Sequence, residues 1–370
     1  MAEVTEINHP SDLAAYRATW NALLARTANA TFFQTLDWLE IFWQHFGDDQ
    51  RLRVLVVEEH GQAIGIVPLC VRTQQHRLGP LRTLTYPLDG WDNFYAPLGD
   101  RPMATLTAAI AYLGKAPRDW DRVQLVGAIG DMGDGQPTRQ SMTLGGMRPT
   151  VTAMGVASLV DLAGDWESYL ASRSAKTRHM LRRHLREVQQ SSGVEYLRHR
   201  PQSRQQGDGQ PRWDLFDQCQ QVAEQSWQSH SVGGNTLCHP RYRDFYRDAH
   251  AAAARLGMLD LNLLLLDGQA VAFNYNYLHR GRLTGLRMGF APQASQFSAG
   301  MLLMAAMLRD SCERGDALVD LGAGNQPFKC RLRTDEQMSH QLTYTPLSAV
   351  RCQALRLARW VRGETSVASK

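Results

Sequence analysis

Two segments of this chain share one strand–turn–strand pattern. Residues 51–67 read RLRVLVVEEHGQAIGIV, and residues 259–273 read LDLNLLLLDGQAVAF. In each segment an apolar strand ends near an acid, a glycine turn follows, and a second apolar strand begins. The sequences that leave the turns match closely, as GQAIGI and GQAVAF. Because helical segments precede both hairpins, the pattern predicts two copies of one α/β unit.

Helical periodicity around the hairpins extends this organisation. Apolar residues at helical spacing predict a helix at 35–46, and a helix–strand pair follows each hairpin, with the helices at 102–113 and 299–314. The predicted fold class is therefore α/β, of the mixed-sheet α+β kind, in two tandem units. The expected boundaries of these units are residues 1–155 and 156–370.

Composition sets broad limits on the function. The chain has 370 residues, 44% of them hydrophobic, and a formal net charge of only +4, which gives no strong indication of nucleic-acid binding. No apolar run approaches the roughly 20 residues that span a bilayer. Six cysteines without CxxC spacing and histidines without an HExxH pair predict reduced thiols and no metal. We expect a cytoplasmic protein.

The segment LVDLGAGNQPFK, residues 318–329, superficially resembles the loop that binds S-adenosylmethionine or a dinucleotide. Such a loop belongs on the first strand–helix turn of a doubly wound parallel sheet. Here antiparallel-looking strands precede it, and Pro327 follows the position where a further glycine would be expected. Gly322 and Gly324 are explained by a tight turn after a strand. A methyltransferase is therefore the less favoured interpretation.

A stronger candidate for a cofactor site lies at residues 289–310, GFAPQASQFSAGMLLMAAMLRD. A strand is predicted to end near Phe290, and Ser298 is placed to cap a helix whose first turn contains Gly300. The N-terminus of a helix attracts anions, and a small residue there lets a phosphate approach. The alternative is an ordinary capped helix that packs its Met and Leu side chains into the core.

The second half opens with a basic helix, predicted at residues 172–190. Leu181, Leu185 and Val188 form its apolar stripe. The opposite face carries Lys176, His179, Arg182, Arg183 and Arg186. Since no acid lies between Arg173 and Arg186, this face predicts an anionic partner. The alternative is that acids from elsewhere in the protein cover it.

In the order and spacing of these segments the chain resembles the GNAT acyltransferase superfamily. It resembles in particular the CelD-like acetyltransferases associated with bacterial exopolysaccharide or cellulose synthesis, which share tandem GNAT-like units with the Fem peptidyltransferases. The resemblance covers nearly the whole chain. It rests on FFQTLDWLEIFWQHFG, LRVLVVEEHGQAIGIVPL, SAKTRHMLRRHLREV, GQAVAFNYNY, FSAGMLLMAAM and DLGAGNQPFKCRLR. In the last segment Asp320 ends a strand and Phe328-Lys329 is the aromatic–lysine pair.

This resemblance implies metal-free transfer of an acyl group, most simply acetyl, from acyl-CoA to an amine of a sugar, nucleotide-sugar or peptide. Donor contacts are expected at Met288, Gly289 and Phe290 for the thioester carbonyl and at Ser298, Ala299, Gly300 and Met301 for the pyrophosphate. Asp320 and Tyr275 are the candidate catalytic residues; for Asp320 the alternative role is to anchor its turn. Tyr275 and Tyr277 alternate with Asn274 and Asn276 along a predicted strand, so that one of the two pairs is expected to face the cleft or solvent. The acceptor is expected at Asn325, Phe328, Lys329, Arg182, Arg183 and Arg186. For Lys329 the alternative is a solvated surface lysine.

Three further expectations concern partners. A Fem-like transferase would use aminoacyl-tRNA, with the basic helix as its docking face. A non-catalytic assembly component is the other alternative, since Asn325 and Gln326 stand where relatives often carry acids. The basic C-terminal segment LSAVRCQALRLARWVRG could contact the inner face of the membrane, or could pack Leu347, Val350, Leu357 and Val361 on the core.

Overall fold

The computed structural model describes residues 2–76, 79–88, 95–126, 136–231 and 234–361. The chain divides into two compact units. The first comprises Met1–Val156 and Gln337–Lys370, and the second comprises Ala157–Glu336. The chain therefore returns to the first unit after Glu336, a return that the predicted boundaries, 1–155 and 156–370, do not include.

The N-terminal part of the first unit alternates hairpins with helices. Its elements are β1 (Glu3–Ile7), α1 (Arg17–Arg26), α2 (Leu36–Phe46), β2 (Gln50–Glu59), β3 (Gln62–His76), β4 (Gly79–Thr85), α3 (Pro102–Lys115), β5 (Arg122–Val126) and α4 (Gln136–Leu144). Strands β1 to β4 are antiparallel neighbours, and β5 joins β4 in parallel. The next strand, β6 (Thr150–Asp161), contains the boundary between the units.

The second unit repeats this order, and a helix near its start is rich in basic residues. Its elements are α5 (Trp166–Ala171), α6 (Ala175–Gln190), β7 (Val194–His199), α7 (Trp213–Gln225), α8 (Arg243–Leu256), β8 (Leu259–Leu266), β9 (Gln269–His279), β10 (Arg282–Phe290), α9 (Ala299–Glu313), β11 (Leu318–Ala323) and α10 (Pro327–Leu332). Strands β7 to β10 are antiparallel neighbours, and β11 joins β10 in parallel. The chain ends with β12 (Asp335–Tyr344) and α11 (Val350–Val361).

The repeated hairpins are closed by turns that the sequence predicts. Asp267-Gly268 closes the repeated hairpin β8–β9, with φ of 49° and 77° at its two central positions. Arg280-Gly281 closes the next hairpin, β9–β10, with φ of 49° and 72°. His60-Gly61 has the same conformation in the first unit, at 52° and 73°. Two left-handed residues match the twist of the flanking strands. The internal repeat is thus a repeat of structure as well as of sequence.

Each unit has its own hydrophobic core. In the first, Trp20 and Leu24 of α1 and Leu39 of α2 pack on apolar residues of β2 and β3. In the second, Leu181 and Leu185 of α6 pack on methionines and leucines of α9. Burial of these aliphatic and aromatic side chains stabilises each unit by about 1.5–3 kcal/mol per residue. The apolar stripe predicted for the basic helix is confirmed, and Val188 is partly buried against the neighbouring cluster.

Two sequence-based expectations about orientation are wrong. One pair among the alternating residues of β9 was expected to face a cleft or solvent, but Asn274, Tyr275, Asn276 and Tyr277 are all buried, because helices cover both faces of this strand. In the C-terminal segment the expected core packing fails for Leu347, Val350 and Leu357, which are 89%, 76% and 61% exposed, while the side chain of Val361 lies outside the described residues. Four strands, β1, β6, β7 and β12, are additional to those predicted.

No helix within the described ranges is long and apolar enough to span a membrane.

Candidate functional site

The candidate site lies in the second unit, where the parallel ladder between β10 and β11 ends. The ladder has three pairs, of which the last joins Thr284 to Asp320. Beyond it, the pairing of β10 with β9 shifts register between Gly285 and Arg287. A Cβ atom at Gly285 would lie 2.8 Å from the Asp320 carbonyl oxygen, so glycine permits the close approach of the two backbones. The end of this ladder places buried polar side chains at a defined point of the sheet.

Three charged side chains meet at this point. Arg282 Nη2 lies 3.7 Å from Asp320 Oδ2, and Asp320 Oδ1 accepts a hydrogen bond of 2.8 Å from the Gly322 amide. Lys329 Nζ donates to the Ala323 carbonyl oxygen at 2.6 Å. Asp320 is 4% exposed and Lys329 is 8% exposed. The structure therefore shows the turn-anchoring bond of Asp320, and it contradicts the alternative that Lys329 is a solvated surface lysine.

The electrostatics of this cluster are dominated by loss of solvent. Burial raises the pKa of Asp320, although Arg282 and the Gly322 amide oppose the shift. Burial likewise lowers the pKa of Lys329 and of Arg282, against the attraction of Asp320. Each charged form is thus incompletely compensated by its neighbours. Groups shifted by desolvation beside a specific charged partner are typical of functional sites.

The sequence did not predict Arg282 of this cluster or its neighbour His279. The two residues are opposite each other in the β9–β10 hairpin. Arg282 Nε and His279 Nε2 are buried and have no hydrogen-bond partner within the described part of the chain. Burial lowers the pKa of His279 to about 4, and Arg280 adds to the shift. Polar residues flanking the Arg280-Gly281 turn were the available signal, but a turn alone does not indicate which side chains are buried.

Tyr275, a predicted catalytic residue, lies on β9 among aromatic side chains. Its hydroxyl is 3.0 Å from His250 Nδ1, and its ring packs against Phe216 of α7. His250 Nε2 is 2.6 Å from the Pro211 carbonyl oxygen, which makes Nε2 the protonated nitrogen and Nδ1 the acceptor. The register instead brings Tyr277 next to Thr284, which pairs with Asp320. A catalytic role of Tyr275 remains a prediction.

The predicted donor-binding residues surround the connection from β10 to α9. The Met288 carbonyl accepts a hydrogen bond from Gln228 Nε2 at 3.1 Å, and Gly289 lies close to Phe273 and Ser226. Phe290 is 37% exposed. The residues of this connection therefore combine an anchored strand end with an exposed aromatic side chain.

The first turn of α9 begins at the N-cap residue Ser298, which has φ 55°. Its hydroxyl makes no capping hydrogen bond, contrary to the expected capping; its carbonyl accepts from Met301 N and Leu302 N instead. Ala299 is fully buried, whereas Ser298 is exposed and Gly300 and Met301 are partly exposed. A Cβ atom at Gly300 would lie 3.1 Å from the Phe290 ring.

The predicted acceptor residues fall into two groups. Phe328 packs partly buried in the core of the second unit, and Asn325 is exposed with its Oδ1 accepting from Arg333. These two lie on the same segment as Lys329. The second group, Arg182, Arg183 and Arg186, is exposed on α6.

Acids do approach two of these arginines. Arg182 Nη2 lies 2.7 Å from Glu167 Oε2, and Arg183 Nε lies 3.3 Å from Glu187 Oε1. The alternative of acidic cover therefore applies to both. Exposed ion pairs of this kind contribute little to stability.

Among the described residues there is no group of three or more His, Cys, Asp or Glu side chains that could hold a metal ion.

Comparison with known proteins agrees with this geometry. Residues 175–330 match the family model Acetyltransf_6, described as an acetyltransferase (GNAT) domain. The match contains α6, the β10–β11 ladder, the first turn of α9 and Lys329. A search of curated protein sequences finds no match.

Solved structures show the same fold over nearly the whole chain. FemX aligns with a TM-score of 0.62 at 11% identity, covering 96% of this chain and 99% of FemX. The C-terminal domain of a putative lysylphosphatidylglycerol synthetase from Agrobacterium fabrum gives 0.56 at 14%, covering 95% and 97%. L-PGS from Bacillus licheniformis gives 0.54 at 14%, covering 96% and 98%. The predicted mixed α/β fold is confirmed over nearly the whole chain. The match of residues 175–330 to an acetyltransferase (GNAT) domain supports an acyltransferase enzyme.

Proposed function

We propose that this protein transfers an acyl group from acyl-CoA to an amine, and that the reaction takes place where β10 and β11 part. The observation that carries the proposal is the buried group of Asp320, Arg282 and Lys329 at the last pair of the β10–β11 ladder. The matched GNAT domain, residues 175–330, contains all three. Acetyl-CoA is the simplest donor.

The donor would lie along β10 and the start of α9. Backbone N–H groups of Met288, Gly289 and Phe290 are the candidates to bind the thioester carbonyl, whose oxygen gains negative charge as the amine attacks. The CoA pyrophosphate would bind the first turn of α9, from Ser298 to Met301, because this turn is the positive end of a 15-residue helix.

The proposed reaction needs one proton acceptor. The amine nitrogen attacks the thioester carbon, a C–N bond forms, the C–S bond breaks, and the CoA thiolate leaves. Asp320 would accept the proton that the amine loses, because its raised pKa brings it closer to that of a useful base. Lys329 and Phe328 would contact the acceptor, with Lys329 as the partner of an acidic group. Arg282 would act on Asp320 as a positioning residue.

The acceptor class follows from the resemblance to CelD-like acetyltransferases. We propose an amine of a sugar, a nucleotide-sugar or a peptide, in exopolysaccharide or envelope synthesis, with the enzyme in the cytoplasm or at the inner face of the membrane. Asn325, exposed on the same segment as Phe328 and Lys329, is the candidate polar side chain for an acceptor that approaches Lys329.

A second candidate function is transfer of an aminoacyl group from tRNA. It is favoured by the fold similarity to FemX and by the basic surface of α6. In this case the aminoacyl ester would replace the thioester at the same ladder end, so that Asp320 keeps its role. The two candidates differ in the donor that the purified protein binds.

Thermal unfolding in the presence of acyl-CoAs separates these candidates. A ligand that binds only the folded state at a hundredfold excess over Kd adds about 2.7 kcal/mol of stability, which raises Tm. We expect such a shift with acetyl-CoA or a longer acyl-CoA, and none with S-adenosylmethionine. Absence of a shift at millimolar acyl-CoA would contradict the proposal, and binding of aminoacyl-tRNA would then support the second candidate.

A substitution that adds a negative charge at the first turn of α9 tests whether acyl-CoA binds there. Ser298→Asp adds a negative charge where the pyrophosphate should bind, and we expect acyl-CoA affinity to fall by about tenfold or more. The fold should tolerate the change, because Asp accepts a left-handed conformation and favours a helix N-terminus. Ser295→Asp, exposed in the same connection, is the matched control. Equal losses in both variants would place the donor elsewhere.

A further inference from the structure

A surface groove of roughly 560 Å³ runs along α6 in the second unit. We call it the α6 groove. It is lined by Arg178, Arg182 and Arg186 of α6, by Trp166 and Glu167 of α5, and by Arg309 of α9, with further α6 residues. The groove is distinct from the group of Asp320, Arg282 and Lys329, none of which lines it.

The three α6 arginines follow one line of the helix. Each is four residues from the next, so that they lie on one face at intervals of about 6 Å, and the outer two are about 12 Å apart along the axis. Arg309 approaches from α9. If their side chains extend outward from the helix, a ligand that contacts both Arg178 and Arg186 must be longer than a single phosphate group.

Most of this positive charge is uncompensated within the groove. Glu167 is the one carboxylate among the lining residues, and its exposed pair with Arg182 is easily exchanged for another anion. Arg178 donates to a backbone carbonyl, that of Arg173. Arg309 pairs with Glu313, and Arg186 has no ion pair in the part of the chain that the structure describes. The lining therefore carries excess positive charge.

Packing of α6 does not require these arginines. The helix is held by Leu181 and Leu185, which are buried against α9. Arg182 and Arg186 are exposed. A helix face that contacts only solvent commonly carries both acidic and basic residues at i and i+4 spacing. Among the residues of α6, Glu187 is the one acid.

We propose that the α6 groove binds a soluble ligand that carries at least two phosphate groups. Arginine forks bind phosphate through paired hydrogen bonds, and the row of arginines presents several such forks at separated positions. Two linked or neighbouring phosphates match this spacing, whereas a single carboxylate does not. The concave lining favours a small ligand that enters the groove over a flat bilayer. The proposal does not depend on the acyl-CoA site.

The test compares two arginines of the same helix. Arg186 lines the groove, whereas Arg183 is equally exposed, pairs with Glu187 and does not line it. With inorganic tripolyphosphate as the probe in calorimetry at about 0.15 M salt, Arg186→Gln should weaken binding by about tenfold, since a charge-assisted hydrogen bond is lost. Arg183→Gln removes the same charge and should change Kd less than twofold.

Each outcome decides the proposal. Equal weakening by the two variants would mean nonspecific attraction to the basic helix and would overturn the site, as would the absence of tripolyphosphate binding at millimolar concentration. If Arg186→Gln lowers Tm, Arg309→Gln on the opposite wall takes its place with the same expected result. Tighter binding to phosphatidylglycerol vesicles or to RNA than to tripolyphosphate, with the same arginine dependence, would also overturn the small-ligand assignment.

Discussion

The two units place an arginine–aspartate pair at the same kind of position, with opposite results. In the first unit, Arg82 lies on β4 and Asp121 immediately precedes β5, its parallel neighbour. In the second, Arg282 lies on β10 and Asp320 on β11, again a parallel pair. In each pair the arginine lies on the last strand of a hairpin, and the aspartate lies on or just before the strand that follows the next helix. The comparison therefore holds the topology constant and varies the surroundings.

The first pair is fully hydrogen-bonded. Asp121 accepts from Arg82 Nη2 at 3.0 Å, from Arg82 Nε at 3.2 Å and from the Arg82 amide at 2.8 Å. Burial alone would raise the pKa of Asp121, but these bonds outweigh it and lower the pKa. The second pair is 3.7 Å apart, and burial raises the pKa of Asp320. The shifts have opposite signs because Asp320 is more deeply buried than Asp121 and accepts fewer hydrogen bonds.

We interpret this difference as separating a pair that supports the fold from a pair that could take part in chemistry. A carboxylate that already accepts three hydrogen bonds stabilises the fold and gains little from a ligand. A buried carboxylate with one short hydrogen bond, beside two desolvated cations, can still accept a proton or bind a polar group.

The start of the helix between the two strands also differs between the units: α3 begins with Pro102, which lacks an N–H donor, whereas α9 begins after Ser298. On this basis we expect CoA to bind the second unit and not the first.

The largest expected effect is that of Asp320→Asn on turnover. Loss of a general base typically lowers kcat by about 10²- to 10⁴-fold. Stability at neutral pH should be unchanged or higher, because the raised pKa means that ionisation of Asp320 opposes folding above its unfolded-state pKa. Steady-state kinetics and thermal unfolding of the same preparation measure both quantities.

Asp121→Asn is the matched control for this variant. It makes the same chemical change in the pair of the first unit, and turnover should stay within a factor of two of the unmodified enzyme. If Asp320→Asn instead lowers Tm and activity together, Asp320 only anchors its turn. The comparison between the two pairs would then fail.

The next effect concerns a glycine that distinguishes the two repeated hairpins. Gly65 of β3 aligns with Ala272 of β9. A Cβ atom at Gly65 would lie 2.6 Å from the Leu98 carbonyl oxygen and 2.3 Å from Thr105 Oγ1, whereas Ala272 is accommodated in its core. We expect Gly65→Ala to cost about 1–3 kcal/mol of unfolding free energy through overpacking.

Gly114→Ala provides the control for overpacking. Gly114 lies in α3, and a Cβ atom added there would meet no described atom within 4 Å beyond its own helix turn and chain neighbours. Alanine at this position should therefore stabilise the helix by about 0.5–1 kcal/mol. Urea unfolding of both variants gives the two free energies. Equal stability of Gly65→Ala and the unmodified protein would show that α3 can move away, and that the hairpins are interchangeable.

Much of the fold could be predicted from the sequence because its signals are local. The X-Gly turns fix the hairpins, and the apolar periodicity fixes α2 and α9. The missed strands β1, β7 and β12 have few or no fully buried residues, so their alternation is weak. Their strand structure depends on long-range pairing, such as that of β1 with β2, which no local pattern reveals.

The candidate site was only partly predictable for a related reason. Asp320 and Lys329 stand out beside a glycine turn, but Arg282 becomes relevant only when β10 and β11 pair. For Tyr275 and Asn274 the alternation suggested one buried and one open face, and helices cover both. Pairing and cover are tertiary properties. Sequence reasoning therefore identified the segments of the candidate site without the electrostatic partners within them.

A smaller effect should appear in the pH dependence of the first pair. A carboxyl whose pKa is lowered in the fold contributes stability above its unfolded pKa and loses it as pH falls through the folded value. At pH 7, Asp121→Asn should lower the unfolding free energy by about 1–2 kcal/mol through the loss of charge-assisted bonds to Arg82. The difference should persist to pH 5 and close below about pH 4. A constant difference down to pH 3 would contradict the assigned protonation.

The smallest expected effect is that of Tyr275→Phe. The hydroxyl of Tyr275 donates to His250 Nδ1, since Nε2 carries the proton directed at the Pro211 carbonyl. Burial lowers the pKa of His250 to about 4, so the histidine is neutral and remains an acceptor throughout the working range. Removing the hydroxyl deletes neutral hydrogen bonds to His250 and to Tyr277, which together cost about 1 kcal/mol, and leaves the ring packed on Phe216. Chemical denaturation should show this loss at pH 7, with an unchanged denaturant m-value. A fall in kcat of more than tenfold at unchanged stability would instead favour the predicted catalytic role of Tyr275, and would extend the site across β9 towards α8.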